Sequence, residues 1–298
     1  MTIDIAVVPV AGHGTRLLPL TKSQPKEMLS VGRKPVVQYV VEELALSGIR
    51  RLLFITSRGK TSIEQHFDID ENMIQFLRNS GREESLQELD FERQEMEYFY
   101  TRQRRQLGLG HAVLCAAPLI GDQPLVVALG DSIIGLHAQS DIVGRMIEQF
   151  HTQKADVVVA FEQVAAEDVV KYGIAKPRGP VGELFELEDL VEKPELGEAP
   201  SNLAVAARYV FSPAIFDALR ETSPGKGGEI QLTDAIHQVL QQGGKGIGLQ
   251  LPDDQRRYDI GNFDSYFRAF LDFALSDPEY GAQAEAHVRD RINRSEES

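Results

Sequence analysis

Unbroken apolar runs alternate with amphipathic ones through the first half of the chain, and this alternation limits the fold more than any other feature. "IDIAVVPV" leads into "PVVQYVVEELALSG", then come "RRLLFIT" and a helical stretch from about Lys60 to Phe67. "MEYFYT", a helix from about Gly110 to Ala117, "PLVVALGD", a helix from about Ser140 to His151 and "ADVVVAFEQV" complete the series. A strand that is apolar on both sides must be covered on both faces, so strands of this kind between amphipathic helices predict an α/β fold with a mainly parallel sheet.

Two regions depart from the rhythm. Residues 68–94, which include "ENMIQFLRNSGREESLQELDFERQ", are charged and helix-prone with a turn expected at Gly81, and read as an inserted helical hairpin with a solvated surface. Beyond residue 163, "YGIAKPRGPVGELFELEDLVEKP" offers short extended pieces between Pro and Gly turns, as in a smaller β-rich subdomain. "NLAVAARYVFS" reads as one more strand. A last helical region starts near Asp264, and "NRSEES" reads as a frayed polar tail.

Bulk properties exclude some functions. A net charge of −14 argues against a nonspecific nucleic-acid binder, which needs a basic face. A small anionic ligand remains compatible, because a local basic pocket can sit in an acidic protein. No apolar run approaches the roughly 18 residues of a membrane span. Cys115 is the single cysteine, so no intrachain disulfide can form, and "TIDIAVVPV" lacks the features of a signal peptide. The expected location is the cytoplasm.

The loop after the first strand, "GHGTRL", has Gly12 and Gly14, but Leu17 stands where a dinucleotide fingerprint needs its third glycine, and no P-loop run occurs. Glycine allows close backbone approach, and exposed loop N–H groups can receive phosphate oxygens. Arg16 adds a planar charged fork and Lys26 a compact point charge, on a path stiffened by Pro19 and Pro25. Together they favour polyphosphate binding.

This stretch, "AGHGTRLLPLTKSQPKEML", resembles the signature G-x-G-T-R-x-x-P-x-T-x-x-x-P-K of the sugar-phosphate nucleotidylyltransferases, and its "PKEML" ending resembles the bacterial UTP–glucose-1-phosphate uridylyltransferases. "RQRRQLGLGHAVLCA", "ALGDSII", "YGIAKP", "LVEKP", "PSNLAVAARYVFS", "GGEIQLTDAI" and "RYDIGN" continue the resemblance in order. It implies a Rossmann-like mixed sheet with an added sugar-binding subdomain. It also implies a catalytic domain over 1–262, with a nucleotide half of about 1–163 and a sugar-phosphate half of about 164–262. Residues 263–298 would be C-terminal helices available for an oligomer contact.

The implied reaction joins UTP and α-D-glucose 1-phosphate into UDP-glucose and pyrophosphate, with no protein nucleophile. By resemblance, Ala11, Gly12, Gly14, Thr15 and Arg16 belong to the loop that wraps the triphosphate, and Lys26 approaches the α-phosphate. Gln103 and Gly108 meet the base; Gly173, Glu192 and Lys193 hold the sugar phosphate, so "EKP" must turn for neighbouring Glu and Lys to serve one site. Asp131 and Asp259 would share Mg²⁺. Arg16, Lys26 and Lys193 are the expected catalytic cations. The family is commonly oligomeric, which implies a homo-oligomer. Open alternatives are the same chemistry with dTTP or another sugar phosphate, and a nucleotide-sugar sensor without turnover.

Overall fold

The structure, a computed structural model, describes residues 2–93 and 95–296. The first half contains β1 (Ile5–Pro9), β2 (Ser30–Val31), β3 (Lys34–Pro35), α1 (Val36–Leu46), β4 (Arg51–Thr56), α2 (Thr61–Phe67) and α3 (Glu71–Asn79). It continues with β5 (Glu97–Arg102), α4 (Leu109–Leu114), α5 (Ala117–Ile120), β6 (Leu125–Ala128), β7 (Ser132–Ile134), α6 (Ile142–Gln153) and β8 (Val157–Gln163). The second half adds β9 (Gly173–Arg178), β10 (Leu184–Glu192), β11 (Leu203–Phe211), α7 (Ala214–Glu221), α8 (Leu232–Gln241) and β12 (Gly246–Gln250). β13 (Arg257–Asp259), α9 (Phe263–Leu275) and α10 (Gly281–Glu296) end the chain.

Nine strands form one sheet in the order β5-β4-β1-β6-β11-β8-β12-β10-β9. Alternate residues of β1 explain its two covers. Val7 joins the core under α4, α7 and α8, and Ala6 and Val8 join the core under α1, α2 and α6. The predicted α/β class holds, and parallel pairing covers the first half of the sheet and the β8–β12 pair, with antiparallel strands between and beyond them. β5, β4, β1 and β6 are parallel, β11 enters antiparallel to β6 and β8, and the β9–β10 hairpin is antiparallel. A strand buried on both faces has the same composition in either direction, so "NLAVAARYVF" carried no sign of its reversal. The later β-rich segment extends this same sheet to its edge instead of making a separate one.

The insertion is helical, as expected: α3 and a 3-10 run over Glu83–Arg93 meet at Gly81, whose φ is +70°. Asp70 caps α3 by accepting the Met73 N–H at 2.9 Å. Gln94, assigned to that insertion, and the tail residues 297 and 298 lie outside the described residues. The tail reading is corrected for Asn293–Glu296, which continue α10. The helix expected over 110–117 is two short ones, with Pro118 in the first turn of the second.

β11 carries a bulge between Val205 and Tyr209, with Ala207 at φ +60°. The bulge buries Arg208 completely. Its Nε and Nη2 donate to Glu43 Oε1 and Oε2 on α1 at 2.9 and 2.6 Å, and Nη2 also donates to the Ser132 carbonyl at 2.9 Å. A buried ion pair that loses one partner leaves a charge stranded. Arg208→Ala is therefore expected to destabilise the fold by roughly 3–5 kcal/mol, read by denaturant unfolding. A loss below about 1 kcal/mol would contradict this role for the pair.

Candidate active site

The parallel strands β1, β4, β5 and β6 deliver their carboxyl ends to one edge of the sheet, the edge at which open α/β sheets bind ligands. β1 runs on into Ala11 and Gly12, β5 into Gln103, and β6 into Asp131. Between these ends lies a cavity of about 430 Å³ lined by Ala11, Gly12, Lys26, Gln103, Gly108 and Asp131, with Glu229 on its wall.

Lys26 begins a short 3-10 turn after Pro25, and its ammonium is paired with the Asp131 carboxylate. Burial works against the Lys26 charge, but the Asp131, Glu27 and Asp259 carboxylates outweigh it and hold the ammonium above the usual lysine range. Burial likewise opposes the Asp131 charge, and Lys26 overcomes it, so Asp131 stays below the usual carboxylate range. Glu27, also buried, accepts from Lys60 Nζ at 2.7 Å.

The two aspartates come from distant parts of the chain. β13 pairs antiparallel with β7, which sets Asp259 opposite Ser132, and the Ile260 N–H donates to the Asp131 carbonyl at 2.9 Å. Burial and the neighbouring Asp131 charge push the Asp259 carboxyl up. Arg257 tempers this: its Nη1 lies 3.9 Å from Asp259 Oδ2, its Nε donates to Glu162 Oε1 at 2.6 Å, and its guanidinium lies 4.6 Å from the Tyr172 ring centroid. Two crowded carboxylates are hard oxygen donors whose repulsion a divalent cation would relieve. No group of three or more metal-capable side chains occurs among the described residues. A cation held here would thus take further oxygens from water and phosphate, the habit of Mg²⁺.

The glycine loop is open to solvent. Gly14 has φ +66° and its carbonyl accepts from Thr21 Oγ1 at 2.8 Å, which opens the turn Thr15–Leu17. Leu17 anchors that turn in the core, leaving Thr15 and Arg16 exposed. Neither lines the 430 Å³ cavity. Gly108, at φ +98°, has a structural reason beyond ligand approach. A Cβ there would lie 2.7 Å from the Ile230 carbonyl oxygen, which accepts from the Gly110 N–H at 2.9 Å.

Gly173, Glu192 and Lys193 form a second cluster, and none of them lines the 430 Å³ cavity. β9 and β10 place Gly173 opposite Glu192. Lys193 has φ +44°, so the strand does turn at "EKP", and Lys193 Nζ lies 2.9 Å from Glu192 Oε1. Glu192 Oε2 accepts from Thr233 Oγ1 at 3.1 Å. The Lys193 N–H donates to the Tyr172 carbonyl at 3.0 Å. Tyr172, Arg257 and Asp259 line a further cavity of about 610 Å³, which brings this cluster toward the aspartates.

Sequence reasoning missed several neighbours. Gln106 Nε2 donates to the Ala11 carbonyl at 2.8 Å and lines the cavity, although nothing distinguishes it within "RQRRQ". Its neighbours Arg104 and Arg105 are exposed. Glu229 lines the cavity as well, and α8 starts from Gln231 without a side-chain cap. Arg257 could have been singled out only as the cation two residues before Asp259 in "RYD".

The family model described as Nucleotidyl transferase matches residues 5–275. A UTP–glucose-1-phosphate uridylyltransferase of Bacillus subtilis, YngB, is 44% identical over 289 residues, covering 97% of this chain and 95% of its own. One of Pseudomonas aeruginosa is 41% identical over 267 residues, covering 90% and 94%. Among solved structures, a UTP-bound UGPase from Acinetobacter baumannii superposes with a TM-score of 0.87 at 34% identity, covering 96% of this chain and 99% of that one. A UDP-glucose pyrophosphorylase complexed with UDP-glucose superposes at 0.81 with 36% identity, covering 91% and 98%. The chain belongs to the nucleotidyl transferase family and, within it, to the UTP–glucose-1-phosphate uridylyltransferases.

Proposed function

We propose that the uridylyltransferase activity of this family, UTP plus glucose 1-phosphate giving UDP-glucose and pyrophosphate, is carried out here around Lys26 and Asp131. The observation that carries this reading is the single cavity in which Lys26, Gln103, Gly108 and Asp131 meet at the carboxyl edge of the sheet. A phosphate oxygen of glucose 1-phosphate attacks the α-phosphorus of UTP, a new P–O bond forms, and the bond to pyrophosphate breaks. The protein positions the two anions and neutralises their charge, and no side chain becomes covalently attached.

In this reading Gly12, Gly14, Thr15 and Arg16 hold the β- and γ-phosphates. The exposure of Arg16 suits a group that closes over a ligand entering from solvent. Lys26 meets the α-phosphate. Gln103 and Gly108 face the base, with Ala11 at the loop's entry. Glu192 accepts sugar hydroxyls, Gly173 lets the sugar lie on the backbone, and Lys193 offsets the repulsion between the two phosphates. Asp131 and Asp259 would hold Mg²⁺, which when bound supplies charge neutralisation on phosphate oxygens. The nucleotide and sugar-phosphate halves meet at about residue 163, with α9 and α10 appended. A cytoplasmic location belongs to the same reading, supported by the single cysteine; no helix among the described residues is long and apolar enough to cross a membrane.

A homo-oligomer also belongs to it, supported by Phe267, Phe270, Leu271 and Leu275 standing exposed on α9. Sedimentation equilibrium is expected to give a dimer or larger, and a monomer at micromolar concentration would refute this part.

Pyrophosphate release from UTP and glucose 1-phosphate is expected to exceed that from dTTP, CTP, ATP or galactose 1-phosphate, and to be lost with EDTA. Release from no pair, with UDP-glucose still bound, would instead mean a sensor. Lys26→Ala is expected to lower kcat about a hundredfold with a smaller effect on UTP binding. An unchanged kcat with only a raised KM for UTP would contradict its place at the α-phosphate.

A further inference from the structure

Gln103 is buried at the cavity wall, and both hydrogens of its amide are already used inside the protein. Nε2 lies 3.0 Å from the Gly108 carbonyl oxygen and 3.0 Å from His111 Nδ1. A carbonyl oxygen can only accept, so the amide atom facing Gly108 is the nitrogen. His111 Nδ1 must then accept the second hydrogen, which places the imidazole proton on Nε2. Among the described residues no donor meets Oε1, and it is the amide atom left for a ligand.

Uracil carries a hydrogen on N3, and cytosine carries a lone pair there. An amide that presents only its oxygen pairs with the first and repels the second. We propose that His111 is a positioning residue for base selection: together with the Gly108 carbonyl it consumes both Gln103 donors, so that the cavity receives an acceptor and selects a pyrimidine with an N3 hydrogen. This rests on the reading that Gln103 faces the base. It predicts discrimination against CTP and not a choice between UTP and dTTP, since thymine has the same N3 hydrogen.

The surroundings of His111 agree with the acceptor role. Burial pushes the imidazole down from its ordinary range, which favours the neutral ring with a free Nδ1 lone pair. The other polar group near that atom is the Cys115 thiol at 3.9 Å, a weak donor at long range, so the Gln103 amide holds the lone pair. His111 is the third residue of α4, one turn past Gly108, and the Ala112 N–H also donates to the Gly108 carbonyl, at 3.2 Å. Helix start, carbonyl and imidazole therefore form one rigid frame around the amide.

The test is the ratio of kcat/KM for UTP to that for CTP, each with glucose 1-phosphate, because a ratio is insensitive to a general loss of active protein. His111→Leu, which removes the acceptor, is expected to lower the ratio about tenfold or more. His111→Asn, whose Oδ1 can stand in for Nδ1, is expected to keep it within about threefold of the unmodified protein. An unchanged ratio in His111→Leu, or an equal fall in both variants, overturns the role of the imidazole. Gln103→Leu separates this from failure of the underlying reading: it should also collapse the ratio, and a ratio unaltered there would mean that Gln103 does not meet the base. In the unmodified protein, nitrogen NMR at neutral pH should show His111 protonated on Nε2 alone. A proton on Nδ1 would overturn the inference without any variant.

Discussion

The guanidinium of Arg208 donates both to Glu43 on α1 and to the Ser132 carbonyl, with the side chain wholly inside the protein. Three parts of the molecule depend on that contact. The bulge in β11, with Ala207 held at positive φ, is what turns Arg208 inward. The first residue of β7, immediately after Asp131, has its carbonyl fixed, and α1 is held against that strand. Strain at Ala207 and the desolvation of an ion pair are both unfavourable alone, and they persist because the surrounding core determines them jointly. A second tie, from the Ile260 N–H to the Asp131 carbonyl, brings β13 and Asp259 to the same place.

The electrostatics of this edge are a balance of paired charges. The protein carries a formal charge of −14, and its ligands are polyanions. Lys26 shares the cavity with Asp131, and Arg257 supports Asp259, so each acid has a cation within reach before any ligand arrives. A cation paired in this way is already oriented before a phosphate arrives, and the carboxylate partner holds its charge in place. The Glu27–Lys60 pair lies behind, so that Lys26 is framed by charges held on fixed elements.

The legible part of the protein was local. Alternating apolar and amphipathic runs gave the layered α/β class, and the glycine loop with Arg16 and Lys26 pointed to phosphate. Even the turn at "EKP" could be anticipated from the opposite faces of neighbouring strand residues, and Lys193 at φ +44° has it. What was not legible was direction and pairing. β11 reads as any doubly buried strand, so neither its reversal nor the bulge that buries Arg208 has a signature. Gln103 stood out only within its motif, and the amide orientation that decides what it offers a ligand depends on a carbonyl and an imidazole beyond a glycine turn.

The sequence by itself determined the layered α/β class, the main strands and helices of the first half and which short loops are rich in glycine and cations, because those properties follow from side-chain periodicity and backbone freedom within a few residues. Only the tertiary structure decided that Asp131 and Asp259 stand together, that Gly173, Glu192 and Lys193 form a cluster separate from the first cavity, and that Gly108 is needed for its contact with Ile230. The reason is physical. Burial, ion pairing and hydrogen-bond direction depend on which atoms lie within a few ångströms, and chain order leaves those distances open until strands from both halves join one sheet.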